Sequence, residues 1–350
     1  MKLTRIGLED FRCFGKADFD LRVPGGEKPL SLALFVGPNG TGKSSVVSAI
    51  AGLFGFIIHN TGADELTVDD VRSGKEVARI RAEWLDHVQD SCQEYDAEVL
   101  IHRHPSTTDG NQYPAGASFS LPSLVGELNH WVNAVLAPGR GEAGLIVSFD
   151  VYRLLQPISV AGPNAKAVVR HRTQGSMQPT VGRAGHLQPR FGQLKQWIVN
   201  LDFQRAKAKV DRNQDSPDWE ILHAALDKMF SPYRFECVDE KFDVMFRTPT
   251  GLVPIEALSD GFRSIFVIVT EMLLRLSLTT DDPSRILLQE GVCIIDEIDA
   301  HLHPRWQKRI LPSLRTLFPN VQFIATTHSP IIVSTAAPHE IFRFEEEAKE

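Results

Sequence analysis

The chain has 350 residues, 43% of them hydrophobic and 23% charged, a composition typical of a globular protein with one large core and an insertion, or with two domains. The formal net charge of −7 argues against a surface that coats nucleic acid, although a local basic groove is compatible with it. The four cysteines show neither zinc-binding nor disulfide-type spacing, and no apolar run is long enough for a signal core or a membrane span. We therefore expect a cytoplasmic protein with reduced thiols and no membrane association.

The first elements lead into a phosphate-binding loop. Residues 3–8 and 17–21 are predicted to form two short strands, and the apolar residues 32–36 a third, buried strand. The pattern G-x-x-x-x-G-K-[ST] follows at residues 37–44, and apolar residues recur at helical spacing over 46–53. The order strand, glycine-rich loop, helix is the context in which this pattern binds a nucleoside triphosphate such as ATP.

The chemistry of this loop assigns a role to each of its parts. Its glycines let backbone N–H groups turn toward phosphate oxygens, and the start of the helix adds the positive end of its dipole. Lys43 is expected to reach the β- and γ-phosphates, and the hydroxyl of Ser44 is expected to bind Mg²⁺. The predicted ATP-binding residues here are Gly37, Pro38, Asn39, Gly40, Thr41, Gly42, Lys43, Ser44 and Ser45.

The middle of the chain is predicted from weaker patterns. Residues 77–84 and 95–101 have strand-like sequences and are expected to form an antiparallel layer beside the nucleotide. The segment 105–118, rich in Pro, Gly, Asn and Ser, is predicted to be a loop. Residues 121–136 are predicted to form a helix and residues 144–151 a strand.

Residues 157–230 are predicted to form an inserted, largely helical lobe. Apolar side chains share one face over residues 191–201, and a second helix is predicted after the capping residues 215–217. The lobe divides an α/β head into an N-terminal part, residues 1–156, and a C-terminal part, residues 231–350.

A second motif supplies the groups that a metal and a base require. The apolar residues 291–295 end in two consecutive carboxylates, Asp296 and Glu297. Asp296 can hold Mg²⁺ directly or through water, and Glu297 can polarise an attacking water as a general base. An acidic pair that only caps a strand is the alternative, and the phosphate loop disfavours it because phosphoryl transfer needs a metal and a base.

Two further segments carry candidate phosphate contacts. Ser259 is a natural N-cap for the helix that follows, and with Gly261 and the helix N-terminus it can also form an anion site. Such a site has a purpose if it serves the nucleotide of another subunit. His328 follows the apolar segment 321–327, where a neutral imidazole could contact the γ-phosphate or the attacking water. A lone histidine in this place is otherwise structural.

In this order the four motifs resemble those of the ABC-type ATPases, in the branch that contains RecF, Rad50, SMC heads and the OLD-family proteins. Residues 8–14 (LEDFRCF) are similar to the N-terminal strand pair of that branch. Residues 258–261 (LSDG) resemble its signature loop, with Asp260 where transporters usually have glycine. Residues 296–307 (DEIDAHLHPRWQ) are close to stand-alone ATPases of bacterial anti-phage systems, such as the Septu and retron ATPases. The two histidines of this segment then lie in the D-loop region and do not form a zinc pair.

The resemblance implies a phosphate-loop head with a mixed central sheet, an antiparallel β layer and the inserted lobe. It also implies a head-to-tail homodimer, or a higher homo-oligomer, around two molecules of ATP with Mg²⁺. Each ATP would contact the phosphate loop of one subunit and Ser259 and Gly261 of the other. Gln156 is a candidate for the Q-loop glutamine and Arg153 for a further nucleotide or partner contact. The lack of sustained heptads departs from Rad50 and SMC proteins, and we expect no TOPRIM nuclease domain after His328.

Two hypotheses of different classes follow. In the first, the protein is an ATPase that dimerises around ATP and controls a separate effector, expected to be a nuclease, in bacterial anti-phage defence. The ATPase part is argued from residues, whereas the defence role depends on the resemblance. In the second, ATP gates a DNA-repair or DNA-end-binding clamp whose groove includes Arg170, Arg172 and Arg183, and binding that weakens steeply with salt would favour it. A transporter motor subunit is least favoured, because the insertion and residues 301–304 look unlike transporter subunits.

Overall fold

A parallel five-stranded sheet forms the centre of the molecule. The computed structural model describes residues 1–59, 66–88, 91–108, 111–113, 115–120, 145–151, 160–164, 188–212, 217–280 and 282–345. The strands of the central sheet are β3 (Leu32–Val36), β9 (Leu145–Phe149), β13 (Gly291–Ile295), β14 (Val321–Thr327) and β15 (Ile341–Arg343). Their order is β15-β3-β14-β13-β9, and every neighbouring pair is parallel. The predicted α/β class is confirmed, and the antiparallel strands lie in separate sheets instead of making the central sheet mixed.

An antiparallel sheet lies on one face of this centre and includes the predicted N-terminal strands. Its strands are β1 (Lys2–Phe11), β2 (Phe14–Asp20), β4 (Val77–Val88), β5 (Ser91–His102) and β8 (Gly116–Ser120), in the order β2-β1-β4-β5-β8. Apolar residues of this sheet, of helix α1 (Lys43–His59) and of one face of the central sheet share a single core. The first helix is therefore held between two sheets, with the phosphate loop at its start.

The loop prediction for residues 105–118 is wrong in part. The short strands β6 (Ser106–Thr108) and β7 (Asn111–Tyr113) pair with each other, and β8 pairs with β5, placing Phe119 opposite Val99. The segment has weak local strand signals, and its pairing with a neighbouring strand decides its conformation.

The other face of the central sheet is covered by helices. They are α2 (Gln188–Arg212), α3 (Pro217–Phe230), α4 (Asp260–Ser277), α5 (Pro304–Leu317) and the short α6 (Pro330–Val333). A third, antiparallel sheet contains β10 (Arg234–Val238), β11 (Val244–Thr248) and β12 (Gly251–Pro254). Among the residues that the structure describes, short 3-10 segments lie at Val68–Asp70, Ile255–Ala257, Pro283–Leu288 and Pro338–Glu340. In the described part of the chain, no helix is long and apolar enough to cross a membrane.

The two helices predicted as an inserted lobe pack into the head itself. Apolar residues of α2 and α3 share one core with α4, α5 and the second face of the central sheet. The domain boundaries at residues 157 and 230 stay predictions. The predicted helix at 121–136 lies outside the described residues, as do Arg153 and Gln156 and the basic residues Arg170, Arg172 and Arg183.

A buried lysine joins α2 to the segment that precedes the signature loop. The ammonium group of Lys195 lies 2.7 Å from a carboxylate oxygen of Asp243 and 2.8 Å from one of Glu256, and its side chain is 2% exposed. Burial acts to lower the pKa of Lys195, but hydrogen bonds to the two carboxylates outweigh it and the pKa is raised above its usual value. The lysine is therefore charged at neutral pH. The stability that its ion pairs contribute is complete below the ordinary pKa of lysine and is lost as the pH rises from there through the raised pKa. Glu256 precedes Ser259 by three residues, so this contact anchors the approach to the signature loop.

Candidate nucleotide-binding site

The phosphate loop lies between the end of β3 and the start of α1, in a narrow space. A Cβ atom on Gly42 would lie 2.6 Å from the sulfur of Cys13 and 2.6 Å from the ring of Phe14, and φ of Gly42 is +97°. A Cβ atom on Gly37 would lie 2.5 Å from the carbonyl oxygen of Phe344. Glycine is required at both positions: at Gly42 by the positive φ and by the side chains that follow β1, and at Gly37 by the backbone of the segment after β15.

Lys43 is placed inside the loop. Its ammonium group donates a hydrogen bond to the carbonyl oxygen of Pro38 over 2.5 Å, and the residue is 4% exposed. Burial lowers the pKa of Lys43, while the nearby carboxylates of Asp296, Glu297 and Asp299 act in the opposite direction. A bound phosphate would likewise favour the charged form of the lysine, since opposite charges at short range stabilise each other.

The structure brings together the two predicted magnesium ligands, which are 252 residues apart in the chain. The hydroxyl of Ser44 donates to a carboxylate oxygen of Asp296 over 3.0 Å. The same oxygen accepts a second hydrogen bond, of 2.5 Å, from the hydroxyl of Thr326. A hydroxyl and a carboxylate are hard oxygen ligands of the kind that Mg²⁺ prefers, so the residues present fit this metal.

Thr326 is a site residue that the sequence analysis missed. Its hydroxyl donates to Asp296 and also accepts a hydrogen bond of 2.7 Å from the backbone N–H of Glu297. One side chain at the end of β14 therefore orients both carboxylate-bearing residues that follow β13. The available signal was the pair of threonines directly before His328, at the end of an otherwise apolar strand.

Glu297 and His328 face each other across this site. The imidazole nitrogen Nε2 of His328 lies 3.9 Å from a carboxylate oxygen of Glu297, and the side chains are 29% and 37% exposed. Glu297 has φ of +45°, a left-handed backbone conformation that costs a residue other than glycine about 1–3 kcal/mol. The hydrogen bond from its N–H to Thr326 helps to hold this conformation. The strained backbone directs a reachable carboxylate toward the histidine.

The signature residues lie at the start of α4. Ser259 is exposed and caps the helix, accepting a hydrogen bond of 3.4 Å from the backbone N–H of Phe262. Gly261 is buried, and a Cβ atom there would overlap the carbonyl oxygen of His301. The glycine is therefore explained within one subunit by the close approach of the loop after Glu297. For the exposed hydroxyl of Ser259, the helix cap is the contact within the subunit that explains it.

We expect Gly261→Ala to destabilise the protein by about 1–3 kcal/mol, because the added methyl group forces the backbone at His301 to move. Urea unfolding would measure the loss. Gly26→Ala is the matched control, since its Cβ would make only an ordinary contact at 3.7 Å. Equal unfolding midpoints for the two variants would contradict the packing argument.

Comparison with known families and structures shows what this fold and site are similar to. A model described as "AAA domain" matches residues 5–111, and one described as "AAA domain, putative AbiEii toxin, Type IV TA system" matches residues 193–334. A solved SMC head, in a structure titled "Crystal structure of the SmcHead bound to the C-winged helix domain of ScpA", has the same fold. Its TM-score is 0.51 at 17% identity, covering 96% of this chain and 92% of that chain.

Together with the relatives below, these matches support an ABC-type ATPase of the branch that contains SMC heads and RecF, which confirms the resemblance predicted from the motifs. Septu protein PtuA of Bacillus thuringiensis is 37% identical over 111 residues, covering 31% of this chain and 28% of that protein. The protein named "Retron Vc95 probable ATPase", from Vibrio cholerae serotype O1 biovar El Tor, is 38% identical over 89 residues, which cover 25% of this chain and 17% of that protein. The aligned segments thus span less than a third of these relatives.

Proposed function

We propose that the chain binds and hydrolyses ATP with Mg²⁺ as a head-to-tail dimer, and that its nucleotide state controls a separate effector in anti-phage defence. The observation that carries the ATPase part is the contact of Ser44 with Asp296, next to the buried ammonium of Lys43. It gathers a hydroxyl, a carboxylate and a cation at the start of a helix, which are the groups that a metal-bound triphosphate requires.

Each side chain of the site then has a defined task. Lys43 and the N–H groups of the phosphate loop would bind the β- and γ-phosphates. Ser44 and Asp296 would hold Mg²⁺, which would supply positive charge to the phosphate oxygens. Glu297 orients the attacking water and takes up its proton, with the carboxylate reachable from solvent. The imidazole of His328 faces the carboxylate of Glu297, and from this position it could donate a hydrogen bond to the γ-phosphate.

Asp296→Asn should lower magnesium-dependent ATP turnover about a hundredfold, because an amide holds Mg²⁺ much less tightly than a carboxylate does. A phosphate-release assay with a magnesium titration would measure this. Asp282→Asn, at an exposed carboxylate that only caps a 3-10 turn, is the control and should retain full activity. Unchanged turnover and unchanged magnesium dependence in Asp296→Asn would contradict the site.

The dimer is proposed because Ser259 and the N-terminus of α4 are exposed, where they could contact an ATP bound by another subunit. Ser259 presents a hydroxyl at the N-terminus of an 18-residue helix. A phosphate group of ATP bound by a second subunit could accept a hydrogen bond there and interact with the positive end of the helix dipole. ATP that bridges two subunits would shift the population toward the closed dimer, and hydrolysis would reopen it. Similarity to the Septu and retron ATPases supports a defence role with an effector, for which we propose a nuclease.

Direct DNA binding receives no support from the outer face of the antiparallel sheet. On this described surface Arg5 pairs with Asp18, Arg79 with Glu9 and Glu98, and Arg81 with Asp96. The hydrogen bond from Arg5 lowers the pKa of Asp18, so this carboxylate stays charged at neutral pH. A face with compensated charge lacks the excess of cations that binds a phosphate backbone.

A further inference from the structure

Gln307, in the first turns of α5, uses both ends of its amide to join two loops of the site. The amide N–H donates to the carbonyl oxygen of Leu302 over 2.9 Å. The amide oxygen accepts a hydrogen bond of 2.7 Å from the hydroxyl of Ser329. Leu302 lies in the loop after Glu297, and Ser329 directly follows His328. A glutamine can donate and accept at the same time, which neither glutamate at neutral pH nor methionine can do.

The corner that Gln307 holds is the one that carries His328. The hydroxyl of Ser329 also accepts from the N–H groups of Ile331 and Ile332, at 3.2 and 3.4 Å, so it caps α6. One carboxylate oxygen of Asp299 accepts from the hydroxyl of Thr327 and from the backbone N–H of His328, the latter over 3.3 Å. Asp299 and Gln307 therefore tie both sides of His328 to the loop that follows Glu297.

That loop is itself strained and depends on such contacts. Glu297 and His301 have φ of +45° and +62°, and each left-handed residue costs about 1–3 kcal/mol. Two turns close the loop, through hydrogen bonds of 2.8 Å from Ala300 N–H to Glu297 and 3.0 Å from Leu302 N–H to Asp299. Strained conformations of this kind persist only where surrounding contacts determine them. The donor from Gln307 reaches the carbonyl directly after the strained residue His301.

The loop also contacts the signature helix. The carbonyl oxygen of His301 lies against Gly261, two residues from the exposed Ser259. The same bridge therefore fixes the surface beside the signature loop and the His328 corner of the nucleotide site.

We propose that Gln307 is a positioning residue, whose two hydrogen bonds hold the loop after Glu297 and the corner at His328 in the register needed for hydrolysis. This inference deepens the proposed ATPase function and rests on it. Gln307 acts through Glu297 and His328, and ATP binding by the phosphate loop does not depend on it.

Gln307→Met tests the proposal, because methionine keeps the length and much of the volume of glutamine and removes both hydrogen bonds. We expect kcat for ATP to fall about tenfold with KM within about twofold of wild type, since the loss affects positioning and not ATP binding. In the double variant Gln307→Met with Ser329→Ala, kcat should fall by less than the product of the two single losses, because both changes break the same bridge and only the α6 cap is lost in addition. Ser329→Thr, which keeps a hydroxyl, should restore most of the activity that Ser329→Ala loses. Gln289→Met is the control, since Gln289 is also mostly buried and donates to a carbonyl, that of Arg285 at 3.3 Å, away from the site.

Hydrogen exchange without nucleotide tests the bridge independently of turnover. The amides of residues 300–302, 328, 329, 331 and 332 should exchange faster in Gln307→Met than in wild type or Gln289→Met. Wild-type kcat together with unchanged exchange would overturn the proposal, and so would effects of Gln307→Met and Ser329→Ala that multiply in the double variant. A wild-type chain that does not hydrolyse ATP would overturn the proposed function itself, while the exchange data would still decide whether the bridge exists. If circular dichroism shows that Gln307→Met is unfolded, kcat and hydrogen exchange are compared between Ser329→Ala and Ser329→Thr instead.

Discussion

Glu297→Gln should retain ATP binding, lower turnover by about 10²–10⁴-fold and accumulate an ATP-bound dimer. Glutamine has nearly the same shape as glutamate, and the backbone N–H that anchors residue 297 to Thr326 is unchanged. The variant therefore keeps the position of the side chain and loses the basic oxygen that takes up a proton from water. ATP would stay bound in the closed state, because hydrolysis is the step that reopens it.

Three measurements check this result. Steady-state phosphate release gives turnover, a fluorescent ATP analogue gives the affinity, and light scattering after size exclusion with Mg²⁺ and ATP gives the mass. Glu236→Gln is a suitable control, since this glutamate pairs with Arg247 on the third sheet, outside the site. Wild-type turnover in Glu297→Gln would show that another group is the base. If turnover is lost but no dimer forms, the assignment of Glu297 as the base would stand and the proposed ATP-bound closed dimer would be contradicted.

Ser259→Arg should leave ATP binding to a single subunit intact and abolish turnover by the dimer. Ser259 is exposed at the start of α4, so an arginine there need not disturb the core of its own subunit. In a head-to-tail dimer the long side chain would enter the space beside the γ-phosphate held by the other subunit. The first test compares turnover and ATP affinity of purified Ser259→Arg with those of the wild-type protein.

A mixing experiment makes this test specific for a site shared between subunits. Lys43→Ala and Ser259→Arg should each be inactive alone, because every site in such a homodimer carries one defect. In an equimolar mixture, about half of the dimers are mixed and each contains one intact site, so about a quarter of the wild-type activity should return if the sites act independently. No recovery, with mixed dimers demonstrated by differential tagging, would contradict a shared site, as would full activity of Ser259→Arg alone.

The phosphate loop, the acidic pair and the strands that carry them could be predicted because each has a strong local signal. The loop motif is contiguous, and Asp296 and Glu297 directly follow an apolar strand. Parallel strands present their carboxyl ends at one edge of the sheet, which explains why Ser44, Asp296 and His328 meet although they are far apart in the chain.

The residues that were missed act through contacts whose partners the local sequence does not specify. Thr326 is one of two adjacent threonines, and only the register of β14 beside β13 shows that its hydroxyl reaches Asp296. Gln307 lies one helical turn into α5, and its partners are a carbonyl and a hydroxyl on two other segments. The packing of α2 into the head is likewise determined by tertiary contacts, since an amphipathic pattern does not specify which surface will cover it.

The double role of Thr326 limits how this site can change. One hydroxyl contacts the carboxylate proposed to hold the metal and the backbone of the residue proposed to act as the base. A substitution at this position would therefore disturb metal affinity and water activation together, so neither property could be tuned separately through it. Within this cluster, a variant that keeps the metal ligands and loses only the base would change the side chain of Glu297 and leave Thr326 in place. Residue 326 would then tolerate little variation even in chains that have lost hydrolysis but still need the metal.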